Sequence, residues 1–136
     1  MELAHFTSSV PKFIGYLLVA MALAGAFVTV YMRITPYNEV ELVRKGNVAA
    51  ALNIVGAFLG FCAPLASTIA HSISILDVVI WAVVALIVQI GVHFACRWLI
   101  PGLVRLIEEE GNVAAGFLGG GLAFGIGTLN AACLTY

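Results

Sequence analysis

Gln89, His93 and Arg97 follow one another at four-residue steps, so on a helix they form one polar stripe. At 1.5 Å per residue the stripe covers roughly 12 Å, from about the middle of an apolar stretch to its charged end. Histidine changes charge near neutral pH, so the stripe could relay a proton or coordinate an ion. The same residues admit a structural reading, in which His93 is hydrogen-bonded to a neighbouring helix and Arg97 reaches the lipid phosphates. Asn53 lies about two turns inside its own apolar stretch, at a depth where it can meet the Gln89–His93 face. Asn130 is another deep amide, and an interhelical amide bond contributes only about 0.6–2 kcal/mol in a membrane, so packing also accounts for both. His93 and Cys96 could touch one metal ion, but no other His or Cys has compatible depth and spacing to complete a tetrahedral set. No metal or cofactor is expected. The chain has no nucleophile–base constellation, P-loop, dinucleotide fingerprint or HExxH motif, so catalysis is not expected either.

The elements that must position these residues follow from composition. Of 136 residues 62% are apolar and 10% charged, less than half the charge a soluble domain of this size carries at about 25%. Too little charge remains to solvate a surface, which makes the lipid bilayer the first partner. The net charge of −1 and the lack of a basic stripe exclude a nucleic-acid footprint. Cys62, Cys96 and Cys133 all fall in apolar runs and read as small packing residues. A helix needs about 20 apolar residues to cross roughly 30 Å of hydrocarbon, and four stretches qualify: approximately 12–32, 47–70, 77–99 and 112–136. A cleavable signal is the alternative for the first, which contains Ala22-Leu23-Ala24. Its apolar run exceeds the usual 7–15 residues of a signal core, so the span reads as a retained helix.

Arg33, Arg44 and Lys45 sit in or beside the connection between the first two spans, and Arg97 and Arg105 in or beside that between the last two. Only Lys12 lies on the other side. The positive-inside rule therefore predicts both charged connections in the cytoplasm, with both termini and the short turn at His71 outside. Asp77, at the outer start of the third span, suits a helix N-terminus.

The segment Gly46-Asn47-Val48-Ala49-Ala50 returns unchanged as Gly111-Asn112-Val113-Ala114-Ala115, and the same offset of 65 residues carries Pro36 onto Pro101 and Gly56 onto Gly121. The chain is read as an all-α membrane protein, one integral membrane domain over 1–136, with repeat units of about 12–70 and 77–136. Each unit crosses the membrane twice, so the two are parallel copies of a two-helix unit related by an axis along the membrane normal. In each copy a proline suits the first turn of a short amphipathic helix lying in the cytoplasmic interface, over 37–45 and 102–110. Gly46 and Gly111 end these helices, and Asn47 and Asn112 cap the next. The motif thus has a sufficient structural use, although a ligand-binding role is the competing reading.

Gly56 and Gly60, Gly116 and Gly120, and Gly121 and Gly125 are each four apart, the spacing that lets helix backbones approach closely in lipid. They predict helix packing, within the bundle or between subunits. Alternatively the run 116–127 borders a permeation path or a bend. Gly119-Gly120-Gly121 presents bare backbone on most sides, which favours more neighbours than four helices supply and hence self-association.

The duplicated Gly-Asn-Val-Ala-Ala with its trailing Gly-x-x-x-Gly, set in four apolar spans, resembles the YjfL family of small bacterial inner-membrane proteins, a domain of unknown function built of two related two-helix units. The resemblance covers essentially the whole chain. It implies a bacterial inner (cytoplasmic) membrane and four spans, in which the orientation predicted from Lys and Arg puts both termini in the periplasm, and it brings no catalytic residues. The copies differ where Glu108-Glu109-Glu110 replaces Val43-Arg44-Lys45. Two functions compete. One is a homo-oligomeric pore or transport element for a small ion or solute, with Gln89, His93, Arg97 and Asn53 as its polar path. The other is a non-catalytic scaffold or accessory subunit that binds a cytoplasmic or membrane protein through its charged connections.

Overall fold

The computed structural model describes residues 1–134, in which the helices run α1 (Glu2–Ile34), α2 (Glu39–Arg44), α3 (Val48–His71), α4 (Ile75–Leu99), α5 (Leu103–Glu108) and α6 (Val113–Cys133). Helices α1, α3, α4 and α6 are long and apolar enough to cross a membrane, and α2 and α5 lie in the charged connections between them. The end of the fourth expected span, at 135–136, lies outside the described residues. Large apolar side chains such as Phe13, Leu18, Ile87, Phe117 and Leu129 point outward, as a lipid-facing surface requires.

The duplication is visible in the helix boundaries. Ile34 and Leu99 end the first helix of each unit, and Val48 and Val113 begin the second, both pairs 65 residues apart. At the joint the chain turns through left-handed glycines, Gly46 at φ 82° and Gly111 at φ 57°, a conformation that an added Cβ would strain. The next residue then caps the membrane helix: Asn47 Oδ1 accepts from Ala50 N at 3.0 Å and Asn112 Oδ1 from Ala115 N at 3.2 Å. Asn47 also donates from Nδ2 to the Ile107 carbonyl at 2.7 Å, tying the first unit to the second.

Pro36 and Pro101 do not open the interfacial helices as their type predicts. Asn38 caps α2 instead, accepting from Glu41 N at 3.2 Å, so the helix starts only at Glu39. After Pro101, Gly102 turns at φ 72° and α5 starts at Leu103. The first membrane helix also begins at Glu2, well before the apolar stretch at 12–32. Hydroxyls in that extension bond within their own helix, as with Thr7 to the Ala4 carbonyl at 3.0 Å and Ser9 to the His5 carbonyl at 2.8 Å.

Helices α3 and α6 form the centre, with the most extensive contact in the molecule. Small residues make it possible. A Cβ on Gly56 would collide with the Gly120 backbone, one on Gly116 with Ala49, and one on Gly127 with Gly60. Helix α4 packs against both central helices, whereas α1 lies on α3 and α4 and is not among the substantial neighbours of α6. The pseudo-twofold relation therefore holds for the central pair and the joints but not for the first helices of the units.

Candidate functional site

Four helices bring Tyr31, Asn53, Gln89, His93, Cys96, Gly119 and Ala123 around one internal cavity of about 10 Å³, in the half of the bundle nearer the charged connections. That is at the lower limit, about 10–15 Å³, of the space needed to admit one water molecule. Gln89 is 1% exposed and His93 8%, so the α4 stripe turns into the bundle and not toward lipid. Asn53 Nδ2 donates to Tyr31 Oη at 2.9 Å, and the Tyr31 ring meets the His93 ring edge-on with centroids 5.1 Å apart. Gln89 Nε2 donates to the Ala123 carbonyl at 3.2 Å. Gly119 opens the space, since a Cβ there would collide with Asn53 Oδ1, and a Cβ on Gly60 would collide with the Ala123 carbonyl that accepts from Gln89. Two buried atoms of the set, Gln89 Oε1 and His93 Nε2, have no hydrogen-bond partner. In low dielectric an unpaired polar atom costs about 1–3 kcal/mol.

The compartment continues toward the charged connections. Asn53 also stands beside the Tyr37 phenol, and Tyr31 and Tyr37 both lie within electrostatic reach of Glu39. Glu39 opens α2 but faces inward at 1% exposure, and neither of its carboxylate oxygens has a hydrogen-bond partner. Burial raises its carboxyl above the usual carboxylate range. Burial, followed by the neighbouring Glu39, pushes the Tyr37 phenol up to about 12. On the opposite side, toward the turn at His71, the compartment ends at an apolar wall. Phe27 and Phe61 stack there with centroids 4.6 Å apart, backed by Leu65, Val78 and Ala82.

The polar residues singled out in the sequence do not all meet. Gln89, His93 and Asn53 line the cavity, whereas Arg97 stands beyond it, half-buried, with its guanidinium 5.7 Å from the Phe94 ring centre. Asn130 lies in the half of the bundle nearer the turn, with its Nδ2 buried and unpaired. Gly56, Gly60, Gly116 and Gly120 pack inside the monomer, while Gly121 and Gly125 have open space where a Cβ would stand. Glu41–Lys45 and Arg105–Glu109 are exposed pairs within single turns and leave the interior charges untouched. Among the described residues no group of three or more His, Cys, Asp or Glu could hold a metal ion.

Sequence reasoning missed Tyr31, Tyr37 and Glu39. One signal could have found Glu39: the repeat offset aligns it with Val104, an apolar residue on the equivalent short helix, which marks the position as inward-facing.

The family model described as Domain of Unknown Function (DUF350) matches residues 5–134. The inner membrane protein YjfL (UPF0719) of Escherichia coli K12 is 36% identical over 132 residues, 97% of this chain and 99% of that protein. The transmembrane protein YshE (UPF0719) of Bacillus subtilis strain 168 is 29% identical over 119 residues, 87% of this chain and 89% of that protein. No solved structure matches the chain. With a family model spanning nearly its full length and a relative at this identity, the chain belongs to the DUF350 family and is a small multi-pass protein of the bacterial inner membrane.

Proposed function

We propose that this protein is a transport element for a small ion or solute whose polar path lies inside each monomer and not along an axis between subunits. The observation that carries this reading is the pair of unpartnered polar atoms, Gln89 Oε1 and His93 Nε2, beside a water-sized cavity within the membrane-spanning part. Polar side chains at such depth are costly and commonly mark substrate or ion pathways. A purely structural bundle could use Ala and Val at these places, as the first unit does at Ala24 and Val28. The Phe27–Phe61 stack shuts the path in this conformation, so passage requires the rings to part. Arg33, Arg44, Lys45, Arg97 and Arg105 favour a cytoplasmic position for the charged end and a periplasmic one for both termini. The outward Gly121 and Gly125 offer a smooth face for a helix of a second copy, which supports self-association. The reading includes no enzymatic step.

The test is flux into liposomes containing the purified protein, between about pH 5 and 8 where a histidine titrates. Ion or solute flux that His93→Ala and Gln89→Leu abolish is expected; absence of any flux across that range sinks the proposal. A scaffold is the second reading. It is favoured by the groove in which Lys45 of one connection and Glu108, Glu109 and Glu110 of the other stand exposed side by side. It predicts tolerance of His93→Ala and sensitivity to charge reversal at these residues, and crosslinking that returns only self-contacts would refute it.

A further inference from the structure

A carboxylate without a hydrogen-bond donor or a cation does not stay ionised in a protein interior; it takes up a proton or a cation instead. Glu39 is such a group: buried at 1% exposure, both oxygens unpartnered, and among the described residues in no ion pair. It adjoins the polar compartment through the Tyr37 and Tyr31 phenols, which Asn53 links toward His93. We propose that Glu39 is a proton-binding site of this compartment and that the ion the protein handles is the proton, the second half resting on the transport reading above.

The surrounding groups decide between a proton and a metal cation. From α1 and its connection come the phenols of Tyr31 and Tyr37 and the hydroxyl of Thr35. From α3 comes Asn53, from α4 His93, Cys96 and Arg97, and from α5 Glu108. A hard cation takes about six or more oxygens, several of them anionic; Glu108 is exposed, so the one buried carboxylate among phenols and an amide falls short of that. A proton needs one lone pair and no cage. The Thr35 hydroxyl is committed to the Tyr31 carbonyl at 2.8 Å; it and the N–H of Glu39 itself stand close to the carboxyl without completing a hydrogen bond to it, and burial outweighs their influence. Loading moves one proton from water at the charged end onto a Glu39 oxygen and turns a −1 side chain neutral. Release reverses both. Burial and the raised carboxyl agree with a site that holds its proton where exposed carboxylates have lost theirs.

Infrared difference spectroscopy of the lipid-reconstituted protein tests the site without relying on flux. The wild type should show a carboxylic-acid C=O band near neutral pH that disappears on alkaline titration, is absent from Glu39→Gln and persists in Glu41→Gln. A wild type with no such band overturns the proposal whether or not any variant folds. A band that vanishes at constant pH when sodium or potassium replaces a bulky organic cation also overturns it, since Glu39 would then hold a metal ion. In liposomes carrying a pH gradient, Glu39→Gln should lose proton flux while Glu41→Gln retains it. If the band is present and the wild type carries nothing, the transport reading fails and the proton site stands. If flux survives in Glu39→Gln, the assignment of Glu39 to the path fails and transport stands.

Discussion

Three consecutive glycines on α6 meet three different surroundings, and their alanine variants should separate accordingly. At Gly120 a Cβ runs into the Leu52 carbonyl, which is backbone of α3 and cannot turn aside, so the central helices must part. Such overpacking costs about 1–3 kcal/mol. The helical gain of alanine over glycine, about 0.5–1 kcal/mol, offsets part of it, leaving a net loss of about 0–2.5 kcal/mol. At Gly119 the Cβ meets only the Asn53 side-chain oxygen. The amide can rotate away at the expense of its bond to Tyr31, about 0.6–1.7 kcal/mol, which nearly cancels the helical gain. Gly119→Ala should therefore leave stability within about 1 kcal/mol of wild type and disturb the compartment. At Gly121 a Cβ meets nothing, so alanine should stabilise by about 0.5–1 kcal/mol. Equilibrium unfolding by SDS titration in mixed micelles measures all three. The Gly120 and Gly121 variants should differ by about 1–3 kcal/mol, or about fivefold to more than a hundredfold in the unfolding constant. Equal destabilisation of both would refute the outward orientation of Gly121. A loss at Gly121 that grows with protein-to-detergent ratio would instead locate a contact between copies.

Tyr31→Phe and Asn53→Leu should couple by about 0.6–1.7 kcal/mol in a double-mutant cycle, because each removes the same 2.9 Å bond; additive losses would show that the bond contributes nothing. Asn47→Ala should destabilise more than Asn112→Ala in the same unfolding assay. Both lose an N-cap of about 1 kcal/mol, but Asn47 also loses its bond to Ile107, about 0.5–1.5 kcal/mol more. Stability should fall as pH rises: with the Glu39 carboxyl above its ordinary 4.5, the folded state binds more protons than the unfolded one. Its contribution is complete below about 4.5 and is lost as pH climbs through the raised value. The slope should flatten in Glu39→Gln, and an unchanged slope would show that another group is responsible.

What the sequence made legible is what local chemistry decides. Apolar run lengths place four spans, and Gly46-Asn47 and Gly111-Asn112 act within one turn of chain, so their use as helix stop and cap needs no tertiary knowledge. The inward face of α4 is legible because Gln89 and His93 are too polar to meet lipid at that depth. Glu39 is not legible in the same way. Helix α2 has six residues, too few for a periodic pattern, and an acidic residue opening a helix suits a solvated first turn as well as a buried one. The placement of α1 is fixed only by Phe27 and Tyr31 meeting Phe61, Asn53 and His93, contacts far apart in sequence.

That placement explains why a duplicated frame carries one polar compartment and not two. Across the repeat offset, Glu39 faces Val104, Asn53 faces Leu118, and Gln89 and His93 face Ala24 and Val28, while Tyr31 and Tyr37 face Cys96 and Gly102. Each polar member of one set answers to an apolar residue, a thiol or a glycine in the other. The packing departs from symmetry at the same place. A mirror compartment would need α1 seated on α6 as α4 is seated on α3, and α1 instead leans on α3 and α4, where its Tyr31 completes the set around Asn53 and His93. Restoring polar residues at 24, 28 and 118 would therefore not build a second site, since the helices that would enclose it are apart. The first helix completes the polar set that faces α4 of the second unit. The loss of symmetry in α1 is thus what closes the compartment around Gln89 and His93.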